Sequence, residues 1–425
     1  MIGEEDREDN EGEEDEEEEI VFLAPGLYET GTTTMIKSWE ELKNENLITL
    51  EGATLKEIDW DLVGDLVISN EIENLSSYYK WEEKWIEGEV EEEGDEDGYW
   101  GSVTYSLKLT AVYIPSSIKT IPQEAFRNAE SLNKVVIQNG GVTIIGYDAF
   151  LGCSSLTNVT IPESVTSLIN GAFSFCNNLT SIDIPKSLTN IEIQAFFDCE
   201  NLASINVDSD NEVYSSENGI LYNKDKTQIL IYPDGKLEET YIIPESVTSV
   251  GFFAFRNNNK LTSITLPNNM ILDMSDLDMT MFSMCHNLKN INVNSDNEIY
   301  SSENGILFNK DKTKIIAYPK GRTEETYIIP EGVTSIGSSA FYNCSKLTNI
   351  VIPEGVTSIE EYAFYDCRGL TSITIPVSLK SIGDSAFYEC DMDLEINYAG
   401  TEEQWNQINI EWGNFAITKE EEEGS

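Results

Sequence analysis

The chain contains a single histidine, His286, which directly follows Cys285. A thiol beside an imidazole can form the ion pair that makes cysteine a nucleophile, provided that the two side chains meet. Adjacent residues usually point apart, and Cys285 occupies a position that six other cysteines share in a repeated pattern. We therefore expect no catalysis at this pair, and one histidine also excludes a zinc site built on several histidines.

The seven cysteines have a regular spacing that indicates stacked, equivalent positions. A series of three and a series of four are separated by Asn258: Cys153, Cys176 and Cys199, then Cys285, Cys344, Cys367 and Cys390. Equivalent residues on neighbouring parallel strands have Cβ atoms about 4.8 Å apart, wider than the ~3.8 Å typical of disulfides. We expect buried free thiols that act as small apolar side chains, so the cysteines do not define the redox compartment.

Two acidic stretches contain alternating oxygen ligands of the kind that bind calcium, residues 208–212 (DSDNE) and 94–98 (GDEDG). Neither continues as an EF-hand loop, which needs a glycine at position 6 and a glutamate at position 12. A second copy of the first stretch also has Asn294 in place of Asp208. The favoured interpretation is a turn stabilised by local hydrogen bonds, so we expect no metal site and no cofactor.

Four aromatic residues form the candidate ligand-binding site: Trp81, Trp85, Tyr99 and Trp100. They lie within residues 78–105, whose pattern favours a hairpin with Trp81 and Trp85 on one face. This face either packs on the first coil of the fold, which is the favoured interpretation, or is exposed. An exposed face would stack on sugar rings or anchor a protein partner.

The composition limits the classes of partner. The chain has 425 residues with 77 acidic and 26 basic side chains, a formal charge of −51. Such a surface repels the phosphates of nucleic acids and anionic lipids, but it permits cations, basic proteins and neutral sugars. Residues 4–19 include 13 carboxylates, which predicts a disordered tail. No stretch is long and apolar enough for a leader or membrane helix, so we expect a cytoplasmic protein or a mature chain without its leader.

An internal repeat sets the positions of the apolar residues. Successive units are 23 or 24 residues apart, or 23 plus an insertion of four or 36 residues. Each unit has a strand, a proline, a second short strand and an Ala-Phe-x-x-Cys turn, and none has a helical pattern. We predict a β-rich solenoid of about nine coils that bury their apolar faces only against each other, either a parallel β-helix or a leucine-rich repeat. The repeated aromatic positions are Phe126, Phe150, Phe173, Phe196, Phe255, Phe282, Phe341, Phe364 and Phe387.

The units closely resemble the BspA-like leucine-rich repeats, also called the Treponema pallidum type, of bacterial and some protist surface proteins. Residues 347–367 (LTNIVIPEGVTSIEEYAFYDC) show the pattern clearly, and the resemblance covers residues 109–390. A few units depart from it, as where Ala129 and Asn258 replace the cysteine. The resemblance implies a curved leucine-rich solenoid and a cell-surface or secreted protein that acts in adhesion or protein binding.

Two insertions of 36 residues interrupt the coils, at residues 208–243 and 294–329. The segments 205–244 and 291–330 share 31 of 40 residues, which indicates duplication. Within each insertion, two apolar stretches flank the turn NKDKT, which predicts a hairpin with one buried side that projects from the solenoid. The two hairpins either form a ridge that binds a partner or, as the favoured interpretation, only support the solenoid as a buttress.

The outward positions of the first strand in each coil are mostly small and polar. They offer no aromatic or arginine anchor, so we interpret them as a solvated sheet face. These positions are Asn158, Thr160, Ser181, Asp183, Ser204, Asn206, Ser263, Thr265, Asn290, Asn292, Asn349, Val351, Ser372 and Thr374.

The ends of the array need caps, because a solenoid exposes its core there. All seven tryptophans lie outside the repeats, and large aromatic residues cover a core end efficiently. Ser38 and Thr401 are expected to be the N-caps of short helices. The predicted organisation is an acidic tail (1–19), an N-terminal capping module (20–108), the solenoid (109–390), a C-terminal cap (391–418) and a tail (419–425).

These features predict a non-enzymatic leucine-rich repeat protein, at a bacterial cell surface or secreted, that mediates protein–protein recognition or adhesion as a monomer. The alternative is a carbohydrate-binding module that uses the aromatic hairpin. An enzyme is disfavoured because the sequence offers no plausible base, nucleophile or metal cluster. The expected partners are proteins or glycans on a host or neighbouring cell, without nucleic-acid binding or membrane insertion.

Overall fold

The computed structural model describes residues 24, 26–28, 35–58, 63–75, 107–272, 282, 284–391 and 393–414. The predicted tails (1–19 and 419–425) and the aromatic hairpin (78–105) lie outside these residues. The N-terminal elements are β1 (Gly26–Tyr28), β2 (Met35–Ser38), α1 (Trp39–Asn44), β3 (Ile48–Glu51), β4 (Thr54–Ile58), β5 (Gly64–Val67) and β6 (Asn74–Leu75).

Short strands make up the rest of the described chain. Before the first insertion they are β7 (Leu109–Ile114), β8 (Thr120–Ile121), β9 (Lys134–Ile137), β10 (Ile144–Ile145), β11 (Asn158–Thr160), β12 (Ser167–Leu168), β13 (Ser181–Ile184), β14 (Asn190–Ile191) and β15 (Ser204–Val207). From the first insertion to the second they are β16 (Tyr214–Glu217), β17 (Ile220–Asn223), β18 (Gln228–Ile231), β19 (Thr240–Ile242), β20 (Ser249–Val250), β21 (Ser263–Leu266) and β22 (Asn290–Val293). From the second insertion onward the elements are β23 (Tyr300–Glu303), β24 (Ile306–Asn309), β25 (Lys314–Ala317), β26 (Thr326–Ile328), β27 (Ser335–Ile336), β28 (Asn349–Val351), β29 (Ser358–Ile359), β30 (Ser372–Ile375), β31 (Ser381–Ile382), β32 (Glu395–Tyr398), α2 (Glu402–Trp405) and β33 (Asn409–Ile410).

Most of these strands form two parallel rows, and most turns of the chain add one described strand to each row; for the turn that begins with β21 only the front strand is described. The front row contains β5–β7–β9–β11, β13–β15, β19–β21–β22 and β26–β28–β30–β32. The rear row contains β8–β10–β12–β14, β18–β20 and β25–β27–β29–β31–β33. Because neighbours in each row follow chain order, the fold is the β-solenoid that the sequence predicted.

The solenoid has about thirteen turns, whereas the spacing of the phenylalanines predicted nine. Two of the extra turns use Tyr232 and Tyr318 at the phenylalanine position, where each ring contacts the next one with centroids 5.1 Å apart. The other two come from the predicted caps, since β5 pairs with β7 and β32 pairs with β30. A search for phenylalanine alone misses these four turns.

Inward side chains form continuous ladders along the array. The rings of Phe126, Phe150 and Phe173 stack with centroids 5.2 and 5.3 Å apart. Each cysteine thiol donates to a backbone carbonyl of the preceding turn, as Cys153 Sγ does to Phe126 O at 3.1 Å. All seven cysteines are buried and free, which confirms the prediction.

Each insertion forms an antiparallel meander within the array, β16–β17–β18 in the first and β23–β24–β25 in the second. The third strand of each meander is an ordinary member of the rear row, because β18 pairs in parallel with β20 and β25 with β27. The predicted projection of a hairpin from the solenoid is therefore wrong. Strand pairing with the following turn, together with side-chain hydrogen bonds to the preceding turn, holds each insertion in line with the coils.

The middle strands β17 and β24, here called the partition strands, are buried on both faces. In β17, Leu221 belongs to the N-terminal hydrophobic core, while Ile220 and Tyr222 belong to the next core. The equivalent residues of β24 are Ile306, Leu307 and Phe308. Because successive side chains of a strand point to opposite faces, each partition strand closes one core and begins the next. The prediction of a single buried side is corrected accordingly.

A buried asparagine ties each meander to the preceding turn. The Asn211 side-chain amide donates to Pro185 O and Leu188 O, both at 2.9 Å, and its Oδ1 accepts from the Tyr214 amide at 2.8 Å. Tyr214 Oη in turn accepts from the Ile191 amide at 2.9 Å. In the second meander, the Asn297 side-chain amide donates to Pro267 O at 2.9 Å and its Oδ1 accepts from the Tyr300 amide at 2.7 Å. These bonds support the interpretation of the insertions as buttresses.

Both predicted helix caps are confirmed. Ser38 begins α1 and Thr401 begins α2, each with a reciprocal capping box completed by Glu41 or Gln404. Among the described residues, no helix has the length and apolar character needed to cross a bilayer.

Truncation of a partition strand should destabilise the protein. Leu307 is fully buried, so Leu307→Ala should cost about 2–5 kcal/mol through lost burial and a residual cavity. A clear fall in the midpoint of urea unfolding, followed by circular dichroism, is the expected result. Leu237→Ala is the control, because Leu237 is 76% exposed and its truncation should change stability by less than about 0.5 kcal/mol. Equal midpoints for the two variants would contradict the described packing.

Candidate functional site

The front row presents a regular surface to solvent. In β13, Ile182 and Ile184 point into the core and Ser181 and Asp183 point outward, because the side chains of a strand alternate between faces. Parallel pairing then aligns equivalent outward residues of successive turns in register, as for Asp183 and Asn206. The result is a file of side chains along the solenoid, with one residue from each turn.

We call the most C-terminal outward position of each front strand, from β7 onward, the outer row. The outer row falls into three blocks, separated by the two meanders, and each block begins with an apolar residue and ends with asparagine. The blocks are Tyr113, Val136, Thr160, Asp183 and Asn206; Ile242, Thr265 and Asn292; and Ile328, Val351, Thr374 and Asn397.

The polar part of this surface is held by its own hydrogen bonds. Asn206 Nδ2 donates to Asp183 Oδ1 at 2.9 Å, and Ser204 Oγ donates to Asn206 Oδ1 at 2.7 Å. Asn292 Nδ2 likewise donates to Ser263 Oγ at 2.9 Å. Such bonds fix side-chain rotamers, so a partner would meet an ordered surface with little entropy left to lose.

The apolar part of the outer row is exposed. Ile242 and Ile328, the first front-row residues of this type after each meander, are 74% and 65% exposed. Ile328 lies beside Val351 in the strand register, and Tyr113 lies beside Val136. The surface therefore has apolar anchors that the sequence interpretation missed. The predicted insertions end within the run Tyr-Ile-Ile-Pro, so this run was not counted among the front strands. Because the side chains of a strand alternate between its two faces and Tyr241 points inward, Ile242 points outward.

The candidate ligand-binding residues Trp81, Trp85, Tyr99 and Trp100 lie outside the described residues. Their assignment to an aromatic face stays a prediction. Trp405, in contrast, contacts Tyr398 edge-on with ring centroids 5.2 Å apart, and both are partly buried against the C-terminal core. At this end of the solenoid the tryptophan covers the core, as expected for a cap.

Cys285 and His286 do not form a nucleophile pair. Cys285 Sγ is buried and donates to Phe255 O at 2.8 Å, whereas the His286 side chain is exposed. Burial raises the pKa of Cys285 to about 12, so the thiol is neutral near pH 7. Burial also lowers the pKa of His286, and the nearby Lys320 adds to that effect. Neither group is poised for catalysis.

The acidic stretch at residues 208–212 forms a local turn. The Asp210 amide donates to Asp208 Oδ1 at 2.8 Å, the side-chain to backbone bond that the sequence favoured. Within the part of the chain that the structure describes, no group of three or more histidine, cysteine, aspartate or glutamate side chains could hold a metal ion. The stretch at 94–98 lies outside that part.

The two insertions carry opposite charges at one equivalent position, which is Asp234 in the first and Lys320 in the second. Burial raises the pKa of Asp234 to about 7; the hydrogen bond from Asn257 lowers it, and the nearby Asp198 raises it. Nothing in the local sequence indicates this shift, because its causes come from neighbouring turns. A carboxyl that titrates near pH 7 suits proton transfer, but its partner within hydrogen-bond distance is a structural amide.

Comparison with known families gives a match over most of the chain. A family model for the BspA type leucine-rich repeat region matches with six copies, at residues 102–226, 234–327 and 320–411. No curated protein matches the chain.

Several solved structures are similar. A leucine-rich repeat protein from Eubacterium ventriosum is 23% identical, with a TM-score of 0.46, over 75% of this chain and 86% of that chain. A leucine-rich cell surface protein from Faecalibacterium prausnitzii is 28% identical, with a TM-score of 0.39, over 72% and 83%. The pneumococcal vaccine antigen PcpA is 18% identical, with a TM-score of 0.48, over 92% and 98%.

The burial of the cysteines predicts their reactivity. A thiol reagent should titrate all seven cysteines in denaturant, but it should react slowly with the folded protein at pH 8. Burial raises the pKa of Cys344 and Cys390 to about 12, so their thiolates form only at strongly alkaline pH. Far fewer than seven thiols in denaturant would show that disulfides form and would contradict the assignment.

Proposed function

The chain belongs to the family of proteins with BspA-type leucine-rich repeats, and from this membership we propose that it recognises other proteins, with the outer row as the contact surface. Proteins of this repeat family and fold are typically non-enzymatic and generally bind proteins. The observation that carries the proposal is the exposure of Ile242 and Ile328 on a largely polar, ordered face.

The outer row has the composition of a recognition surface. Burial of one exposed isoleucine side chain by a partner contributes about 1.5–3 kcal/mol, roughly a tenfold to hundredfold change in affinity. The hydroxyl and amide groups between the apolar residues can bind a partner's backbone or polar side chains. Three apolar sites along one face suit an elongated partner that contacts several turns at once.

The charge of the chain restricts the partner further. With a formal charge of −51, the protein repels acidic partners at long range and attracts basic ones. A neutral or basic protein is therefore the preferred ligand, and nucleic acids are disfavoured. We place the protein at a bacterial cell surface or in the secreted fraction, where it acts as a monomeric adhesin or recognition scaffold, in keeping with the family.

Carbohydrate binding is a second proposal. It rests on the concentration of Trp81, Trp85, Tyr99 and Trp100 within a short stretch, since aromatic faces stack on sugar rings. A glycan array separates the two proposals: absence of any signal from the wild type contradicts this one. A signal that persists in the double variant Trp81→Ala, Trp85→Ala would also exclude these residues as the site.

The outer row is tested with a matched pair of double variants. A partner captured from a host or neighbouring-cell surface extract should bind Ile242→Asn, Ile328→Asn about tenfold or more weakly than wild type, because two apolar anchors are lost. The control is Ile193→Asn, Ile271→Asn, which changes isoleucines that are 58% and 62% exposed and lie outside the front row. Biolayer interferometry measures both affinities.

The control variant should bind within about twofold of wild type, which is well under 1 kcal/mol. Unchanged binding by the outer-row variant, or an equal loss in the control, would contradict the assignment of the contact surface.

A further inference from the structure

A second surface lies on the turn face, where the Ala-Phe-x-x-Cys segments meet solvent. In the last three of these turns, the residue after the buried phenylalanine is Tyr342, Tyr365 or Tyr388. The rings stack, with centroids 5.4 Å apart for the first pair and 5.2 Å for the second. All three are half-buried. We call this file the tyrosine strip.

Carboxylates line the tyrosine strip. Asp366 and Glu389 directly follow Tyr365 and Tyr388, and Glu361 and Asp384 precede those tyrosines by four residues. The ring centroid of Tyr362 lies 5.8 Å from that of Tyr365, and the pKa of Tyr362 is raised by burial and then by Asp384 and Glu361, so these two carboxylates lie near the strip.

One cation of the chain lies among these four carboxylates. Arg368 pairs with Asp366 at 2.6 Å and with Glu389 at 3.5 Å, and its side chain is 70% exposed. Lys320, whose Nζ lies 4.4 Å from the ring centroid of Tyr342, is a second cation at the strip, so four carboxylates against two cations leave a local excess of two negative charges. The strip is therefore a negative surface with apolar ring edges.

Cations of this chain already lie over ring faces at equivalent positions, including the first ring of the strip. The Arg256 guanidinium lies 3.9 Å from the ring centroid of Phe197, which holds the same position as the strip tyrosines, and 3.5 Å from the carboxylate of the next residue, Asp198. Lys320 Nζ likewise lies 4.4 Å from the ring centroid of Tyr342. Both cations come from a different turn from the ring that they contact.

From this geometry we propose that the tyrosine strip, with Glu361, Asp366, Asp384 and Glu389, docks a lysine- and arginine-rich segment of a partner protein. The aliphatic stems of such residues pack on the ring edges, as lysine and arginine stems do on apolar surfaces. Their charged ends pair with the carboxylates. The acidity of the whole chain attracts such a segment at long range. The proposal does not depend on the outer row, which lies on the front row.

The test uses the full chain and a fluorescein-labelled oligoarginine peptide of about eight residues, with anisotropy measured at about 0.15 M salt. Because a chain this acidic attracts any basic peptide, each strip variant is compared with a variant of equal charge. The strip variant is Glu361→Gln, Asp384→Asn. The control is Glu212→Gln, Asp225→Asn, which removes two exposed carboxylates from the first insertion.

The strip variant should weaken peptide binding about three- to tenfold, the effect expected from the loss of two charge pairs near an apolar surface. The control should change affinity by less than about twofold. A second variant, Tyr365→Leu, Tyr388→Leu, should also weaken binding by about threefold or more, because the ring edges on which the aliphatic stems pack are lost.

Two results would overturn the proposal. Equal weakening by the strip variant and the control would show that the peptide responds only to the overall charge of the chain. Wild-type affinity in the strip variant would show that these carboxylates do not contact the peptide. The charge variants change exposed or half-exposed side chains, so they decide the question even if the tyrosine variant fails to fold.

Discussion

Each turn of this chain buries its apolar residues only against the turns on either side, so the core must be closed wherever the repeat is interrupted. The partition strands meet this constraint with a run of apolar residues. In β17, Leu221 faces one core and its neighbours Ile220 and Tyr222 face the next. In the second copy, Leu307 likewise faces the preceding core, and its neighbours face the next one. The duplicated segments thus join three cores into one array.

This continuity determines how the molecule presents its surfaces. The last strand of each meander, β18 or β25, pairs in parallel with the next strand of the rear row. The front row therefore resumes after each insertion with the same residue position facing outward. Ile242 and Ile328 become exposed in this way. The tyrosine strip follows from the same regularity on the turn face. Hydrogen bonds between outward side chains order the outer row, and stacked rings order the tyrosine strip. Both surfaces therefore depend on the core that holds the turns in register.

The sequence predicted the period, the solenoid, the free thiols and the caps at Ser38 and Thr401, because each depends on local spacing or local hydrogen bonds. The predicted projection of the insertions was wrong, since a run such as Gly-Ile-Leu-Tyr was interpreted as alternating, although an unbroken apolar run indicates a strand buried on both faces. Ile242 was missed because its orientation depends on the register with β21. The raised pKa of Asp234 depends on neighbouring turns and has no local signal.

Hydrogen–deuterium exchange tests the central claim, that the partition strands lie inside a continuous core, most directly. The amides of Ile220–Asn223 and Ile306–Asn309 should exchange as slowly as those of the central front strands, because they are hydrogen bonded on both sides and buried on both faces. Fast exchange in these strands, with protection retained in the flanking turns, would show hairpins that project into solvent and would contradict this account.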